Sequence, residues 1–361
     1  MRIAQLAPPF ECVPPARYGG TERVVSTLTE ELVRRGHAVT LFASGDSHTS
    51  ASLVPVVDRG LWHRDPPSND FELHRSAIYR TILEDIGSFD IVHSHLDLYG
   101  FGLAHAAERP IVSTLHGRLD LPSLMPTYRA FSDLPLVSIS DAQRRPLARA
   151  NWVGTVHHGI DLDQFTFNPG RGQYLAFLGR ISPDKGLDVA IRVARRAGWR
   201  LQVAARPPLP FSDNPEVLRD REYFEHVIQP LLSEPGVELI GEVGGAQKDE
   251  FLGNAAALLF PIRWPEPFGL VMPEALACGT PVLALSEGSV PELVDHGSTG
   301  FVCHMEDELV RAVERLPELD RYHCRSEAER RFSPASMAQT YERIYAQLLE
   351  TAAPRALSAT V

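Results

Sequence analysis

Residues 174–204 read YLAFLGRISPDKGLDVAIRVARRAGWRLQVA. A short apolar run (174–178) meets a turn bounded by Gly179 and Gly186 that carries Arg180 and Lys185. A helical pattern over 187–197 and a second apolar run over 200–204 follow. Strand, turn, amphipathic helix and strand in that order make the repeating unit of a parallel α/β sheet. The alternation continues on the C-terminal side. A helix is predicted near 222–232, a strand at 237–240, a helix at 248–254, a strand at 257–260, a helix at 266–277, a strand at 281–284 and a helical turn at 290–294. On the N-terminal side, residues 165–172 contain Asn168, Pro169 and Gly170 and read as a linker. Before it lies an earlier series: strand 2–7, helix 21–35 closed by Gly36, strand 38–43, and apolar runs at 90–93, 111–115, 136–139 and 153–157. Residues 57–69 are rich in proline and charge and carry no period, and a last helix is predicted over 334–349. Two α/β series joined by a linker imply two Rossmann-like domains, 1–168 and 169–339. Their parallel sheets are expected to face an interdomain cleft, the default ligand site at strand carboxyl ends.

Composition narrows the classes. The 361 residues include 35 Lys+Arg and 46 Asp+Glu, a net charge of −11, which disfavours a nucleic-acid partner and leaves membrane contact at most peripheral. Cys12, Cys278, Cys303 and Cys324 are scattered with no C-x-x-C pair, so neither a zinc site nor a disulfide framework is expected. No signal-peptide pattern opens the chain and no run of about 18 apolar residues occurs, so a cytoplasmic location is expected. Only Lys185 and Lys248 are lysines; the other 33 basic residues are arginines. A strong bias toward arginine marks the surviving lysines as positions that require a compact ammonium. Lys185 fits that description, whereas Lys248 also reads as part of an exposed helix start.

Four motifs carry chemistry. In the 179–186 turn, glycines permit close backbone approach, Arg180 bridges two oxygens and Lys185 supplies a point charge, which suits a diphosphate. A solvated turn is the plainer alternative. The stretch Glu266-Pro267-Phe268-Gly269-Leu270-Val271-Met272-Pro273-Glu274 sets two carboxylates eight residues apart. On one helix that spacing is about 12 Å, too long for a glycosidase pair but matched to the sugar and ribose ends of a nucleotide-sugar. Glu266 would then hold sugar hydroxyls, Glu274 the ribose diol, and helix-start amides near Phe268, Gly269 and Leu270 would face the diphosphate. A capping acid and a surface acid are the alternative. Gly19-Gly20, in the loop Tyr18-Gly19-Gly20-Thr21-Glu22, permits backbone approach to a phosphate or sugar, or simply makes a turn. His93, His95 and His116 stand at the ends of first-domain strands, and no acidic or thiol residue at metal-ligand spacing accompanies them.

Taken together the chain resembles the retaining nucleotide-sugar glycosyltransferases of family 4, with the GT-B fold. The likeness rests on Gly19-Gly20-Thr21-Glu22, His158-Gly159-Ile160-Asp161, Gly179-Arg180 with Lys185-Gly186, Gly241-Glu242-Val243, Glu266 through Val282, Gly288 through Glu292, and Gly297 through Phe301. By that resemblance Arg180, Lys185 and Glu266 act at the reacting centre with His116. Gly19, Gly20, Gly179, Val243, Phe268, Gly269, Leu270 and Glu274 complete the donor site. Tyr18, His95 and Arg118 are the candidate acceptor contacts. The resemblance implies retention of anomeric configuration by front-face departure and attack, with no essential metal or other cofactor. The donor is a UDP- or GDP-sugar, UDP-glucose before GDP-mannose, and the acceptor is a small molecule, glycan or lipid-linked hydroxyl. The closing helix, about 340–361, would rejoin the first domain. Two positions depart from the family pattern: His158 stands where asparagine is usual, and Ala205-Arg206 replaces a glycine-rich strand end. A nucleotide-sugar epimerase and a non-catalytic nucleotide-sugar-binding subunit on the same fold are the competing readings.

Overall fold

The computed structural model describes residues 1–16, 19–64, 71–107, 109–208 and 214–357. Its contacts divide into two compact units, Met1–Ile160 with Ser333–Val361, and Asp161–Phe332.

In the first unit the strands are β1 (Arg2–Leu6), β2 (Ala38–Ser44), β3 (Ser52–Val57), β4 (Ile91–Ser94), β5 (Ile111–Thr114), β6 (Leu136–Ser138) and β7 (Trp152–Thr155). They lie in the order β3-β2-β1-β4-β5-β6-β7, and every neighbouring pair is parallel. Central strands of such a sheet are covered on both faces, so they read as continuous apolar runs; Ile3, Leu6, Ile91 and Val92 are all fully buried. The strand order reverses between β1 and β4, and the carboxyl ends of β4 and β5 lead to His95 and His116. Strand β3 lies outside the sequence expectations. It is an edge strand, the position in a sheet that tolerates a proline such as Pro55.

The second unit holds β8 (Tyr174–Leu178), β9 (Leu201–Ala204), β10 (Val237–Gly241), β11 (Ala255–Phe260), β12 (Val282–Leu285) and β13 (Gly300–Cys303). Their order is β10-β9-β8-β11-β12-β13, again all parallel, with the reversal between β8 and β11. The helix Leu187–Arg196 packs its apolar face (Leu187, Ala190, Ile191, Val193, Ala194) into the main core of this unit. The turn with Arg180 and Lys185 is thereby fixed between the end of β8 and the start of that helix.

Three expectations need correction. The change of unit falls at Ile160/Asp161 and the return at Ser333, rather than after 168 and near 340. The linker belongs to the second unit because its backbone polar groups are claimed there. Arg325 donates to Phe165 O (2.8 Å), Arg321 donates to Asn168 O (2.7 Å), and Thr166 N donates to Asp249 (2.7 Å). The helix expected over 266–277 starts only at Val271. Gly269 has φ of 81°, outside the right-handed helical region, so 266–270 is a loop and the 12 Å helical spacing of the two glutamates does not apply. The helix near 222–232 is three pieces, Pro215–Tyr223, a π turn Phe224–Ile228, and Gln229–Leu232.

The closing helix Pro334–Leu357 supplies Tyr341 and Tyr345, both fully buried, to the first unit. Glu342 on the same helix pairs with Arg35 (2.6 Å) and His37 (2.7 Å), which hold its carboxyl down at about 2. Among the described residues no helix is long and apolar enough to cross a membrane.

Candidate active site

In the second unit, the loop after β8 and the loop after β11 meet. Arg263 N donates to Asp184 O (2.8 Å), which joins the two segments through their backbones. Lys185 Nζ then lies 2.5 Å from Glu266 Oε2, with both side chains largely buried. The ammonium stands 5.8 Å and 5.5 Å from the ring centroids of Phe260 and Trp264, within cation–π range. Arg180 is half exposed, and among the described residues its ion-pair partner is Asp220 at 4.0 Å, so its guanidinium remains largely open to an anion. Burial raises the Asp220 carboxyl, against the opposing pull of Arg180 and Arg219.

The loop that carries Glu266 is clamped from the segment after β12. Ser289 N donates to Glu266 O (3.0 Å) and the Ser289 hydroxyl donates to Phe268 O (2.7 Å). A Cβ on Gly288 would stand 2.3 Å from Glu266 N, so only glycine allows this approach. Phe268 is buried edge-on against Phe332. One turn further, Glu274 is almost fully buried, and its carboxylate is met by Lys248 Nζ at 2.6 Å. Lys248 in turn stands 5.3 Å from the Phe165 ring. The only two lysines of the chain thus neutralise the two carboxylates of the Glu266–Glu274 block. Lys248 is the residue the sequence reading undervalued. Its signal was the scarcity of lysine, and its position on the helix Gly245–Gly253 hid the partner. Gly179 follows β8, and Val243 is half-buried, lining a cavity of about 440 Å3 with Gln202, Glu242 and Tyr174. The first-turn amides shift with the helix start, and that of Met272 already donates to Gly269 O (3.0 Å).

In the first unit, Gly20 opens the helix Gly20–Arg34, and Gly19 caps it with φ of 131°. Glu22 in that helix is buried, and its carboxyl is pushed up to about 7 by desolvation, with smaller contributions from Glu11 and Asp97. His116 follows β5, and its backbone N–H donates to Asp97 (2.7 Å). Burial drives the His116 imidazole down to about 3, and those of His93, His95 and His158 well below their ordinary value. All four rings are therefore neutral near pH 7. His116 stacks on His158, with ring centroids 5.2 Å apart.

His95 is not an acceptor contact. It is fully buried, and both ring nitrogens are occupied, Nδ1 by His116 Nε2 (2.9 Å) and Nε2 by Gln5 Oε1 (2.8 Å). It stands behind His116. Arg118 is partly exposed and held in a two-pronged pair with Asp120 (2.7 and 2.8 Å). Tyr18 lies outside the described residues.

Residues 161–335 match the family described as Glycosyl transferases group 1, and residues 18–164 match Glycosyltransferase Family 4. Together with the two parallel sheets, these matches define an enzyme of the GT-B glycosyltransferase class. The chain belongs to glycosyltransferase family 4. It is 30% identical to the D-inositol 3-phosphate glycosyltransferase of Streptomyces scabiei, across 80% of this chain and 76% of that protein. It is 27% identical to the Mycolicibacterium smegmatis enzyme of the same name, across 80% and 76% of the two chains. Among solved structures, AviGT4, a glycosyltransferase of avilamycin A biosynthesis, superposes with a TM-score of 0.73 at 25% identity over 97% of this chain and 98% of that one. Anabaena Alr3699/HepE, solved in complex with UDP-glucose, shares the fold with a TM-score of 0.70 at 17% identity over 97% and 100%.

Proposed function

We infer that this enzyme transfers a hexose from a UDP- or GDP-sugar to a hydroxyl of a small-molecule acceptor, with retention of configuration and without a metal. The observation that carries the reading is the pairing of Lys185 with Glu266 at 2.5 Å and of Lys248 with Glu274 at 2.6 Å within one unit. Each of the two carboxylates is neutralised before ligand arrives, so an incoming diphosphate meets the open cation Arg180 beside paired glutamates. The diphosphate competes for Lys185. As Lys185 turns toward it, Glu266 is released to accept hydrogen bonds from sugar hydroxyls. Arg180 and Lys185 then carry the charge that develops on the departing diphosphate, the role a divalent ion fills elsewhere. Glu274, held in place by Lys248, accepts from the ribose diol.

We propose His116, Gly19 and Gly20 as contacts of the donor, and Arg118 and Tyr18 remain acceptor candidates. In this reading the released Glu266 is taken up by sugar hydroxyls and Glu274 by the ribose, neither serving as a nucleophile, and the reaction proceeds by front-face departure and attack. The names of the relatives make D-inositol 3-phosphate the first acceptor to try, beside unphosphorylated polyols.

The testing experiment is a metal-free calorimetric titration with UDP, GDP, ADP and TDP on wild type and Lys185→Ala. It is followed by NMR of the anomeric proton of product formed from the matching sugar. One tight nucleotide, lost in the variant, with a retained anomer supports the reading. An inverted anomer refutes the mechanism. Tight binding without transfer to any acceptor favours the non-catalytic binding subunit.

A further inference from the structure

His116 ends a continuous hydrogen-bonded chain that starts on the closing helix. Tyr341 and Thr114 hydroxyls are 2.9 Å apart, and Thr114 is 2.7 Å from His93 Nε2. His93 Nδ1 is 2.7 Å from the Tyr345 hydroxyl, which Gln5 Nε2 reaches at 3.3 Å. Gln5 Oε1 is 2.8 Å from His95 Nε2, and His95 Nδ1 is 2.9 Å from His116 Nε2. The last atom, His116 Nδ1, is buried and has no hydrogen-bond partner among the described residues.

A neutral imidazole carries one N–H and one lone pair, so fixing the direction of one bond in such a chain fixes the tautomers beyond it. Two directions exist, related by turning the Gln5 amide over. Three observations select between them. At 3.3 Å the Gln5–Tyr345 contact is well beyond the range of a phenol O–H donating to a carbonyl, about 2.5–3.0 Å, and only just beyond that of an amide N–H donating to a hydroxyl, about 2.7–3.2 Å. At 2.8 Å the Gln5–His95 contact suits an N–H donating to a carbonyl oxygen. The opposite direction would leave a buried N–H at His116 Nδ1 unpaired, and orphaned donors are rarer than under-satisfied acceptors. With the Gln5 carbonyl toward His95, the proton of His95 sits on Nε2 and its Nδ1 accepts. His116 must then carry its proton on Nε2.

We propose that Gln5 and His95 are positioning residues that lock His116 in the Nε2–H tautomer, so that its Nδ1 lone pair meets a hydroxyl of the bound sugar or acceptor as a hydrogen-bond acceptor. The inference rests on the placement of His116 at the reacting sugar. His116 takes a hydroxyl proton as its partner and offers none, which selects a ligand hydroxyl over a ligand carbonyl or phosphate oxygen at that point.

The test uses the full chain labelled with 15N-histidine. Two-bond 15N–1H correlation spectra distinguish protonated from bare ring nitrogens, and the His116 signals are those missing from His116→Asn. The expected result is a single tautomer, Nε2 protonated and Nδ1 bare. In Gln5→Leu the tautomers mix and kcat falls about tenfold, the usual cost of losing a second-layer partner, with donor KM little changed. Tyr345→Phe removes the same Gln5–Tyr345 bond but leaves the Gln5 carbonyl on His95, so tautomer and kcat stay near wild type. A protonated Nδ1 in wild type, or equal effects of Gln5→Leu and Tyr345→Phe, overturns the lock. The wild-type spectrum decides even if a variant fails to fold. If His116→Asn turns over at the wild-type rate while the spectrum shows a bare Nδ1, the placement of His116 at the reacting sugar fails instead.

Discussion

Replacing Lys248 by methionine isolates the contribution of the buried pair to folding and to ligand binding. The side chains of Lys248 and Glu274 keep only 13% and 6% of their exposure, and their charges are 2.6 Å apart. Removing one partner of a buried pair costs about 3–5 kcal/mol, because the remaining charge is left desolvated and uncompensated. The residual exposure of Lys248 argues for the lower end, about 3 kcal/mol. For a unit the size of Asp161–Phe332, that lowers Tm by roughly 6–12 °C, at about 2–4 °C per kcal/mol. Glu274→Gln is less costly, since its amide oxygen can still accept a hydrogen bond from the Lys248 ammonium. The double variant should recover about 0.5–3 kcal/mol relative to the sum of the singles, the range for groups in direct contact. The assay is thermal unfolding of all four proteins, with calorimetric titration of the preferred nucleoside diphosphate well below each transition. Nucleotide affinity of Lys248→Met should fall about tenfold, as for loss of a partner that orients a ligating group. Additive stability costs, or an unchanged nucleotide Kd, would refute the coupling argued from the structure.

Glu266→Ala should lower kcat far more than it weakens nucleotide binding, whereas Gly288→Ala should impair both, because its Cβ would enter the Glu266 backbone at 2.3 Å. Equal kinetics for Gly288→Ala and wild type would contradict the clamp. The Glu22 carboxyl, raised from 4.5 to about 7 by burial, binds a proton in the folded state that the unfolded chain has already lost between those values. Stability should therefore fall as pH rises from about 4.5 through 7, by up to about 3 kcal/mol at 1.36 kcal/mol per unit. Glu22→Gln should match wild type near pH 4.5 and exceed it at pH 8 in thermal melts; a variant less stable than wild type at pH 8 would show the sign to be wrong. Turnover should be unaffected by excess EDTA, and a loss restored by Mg2+ would refute metal-free diphosphate stabilisation by Arg180 and Lys185.

Most strands were legible because buried parallel strands are short apolar runs. β8 is found over the same residues that its apolar run marks, Tyr174–Leu178. Edge strand β3 was not, since an edge with Pro55 lacks that signature. The start of the helix at Val271 was hidden because Pro267 is a strong helix-opening signal. Gly269 lies in the left-handed region in a loop tied down by Ser289, which follows the neighbouring strand β12.

Local pattern alone determined that the chain alternates strand and helix in two series, that a cation-bearing glycine turn follows a strand, and that two carboxylates stand eight residues apart. Those features are set by neighbouring residues, where periodicity and turn chemistry act. Tertiary structure decided which charges meet. Lys185 reaches Glu266 across 81 residues and Lys248 reaches Glu274 across 26. It also decided that His95 backs His116 instead of facing a ligand, through Gln5 at 90 residues' separation, and that Tyr345 of the closing helix joins the chain 340 residues from Gln5. The physical reason is that side-chain hydrogen bonds and ion pairs form only within about 3–4 Å. Which groups come that close is set by the crossover order of the strands and by the return of the last helix, and neither leaves a periodic trace in the sequence.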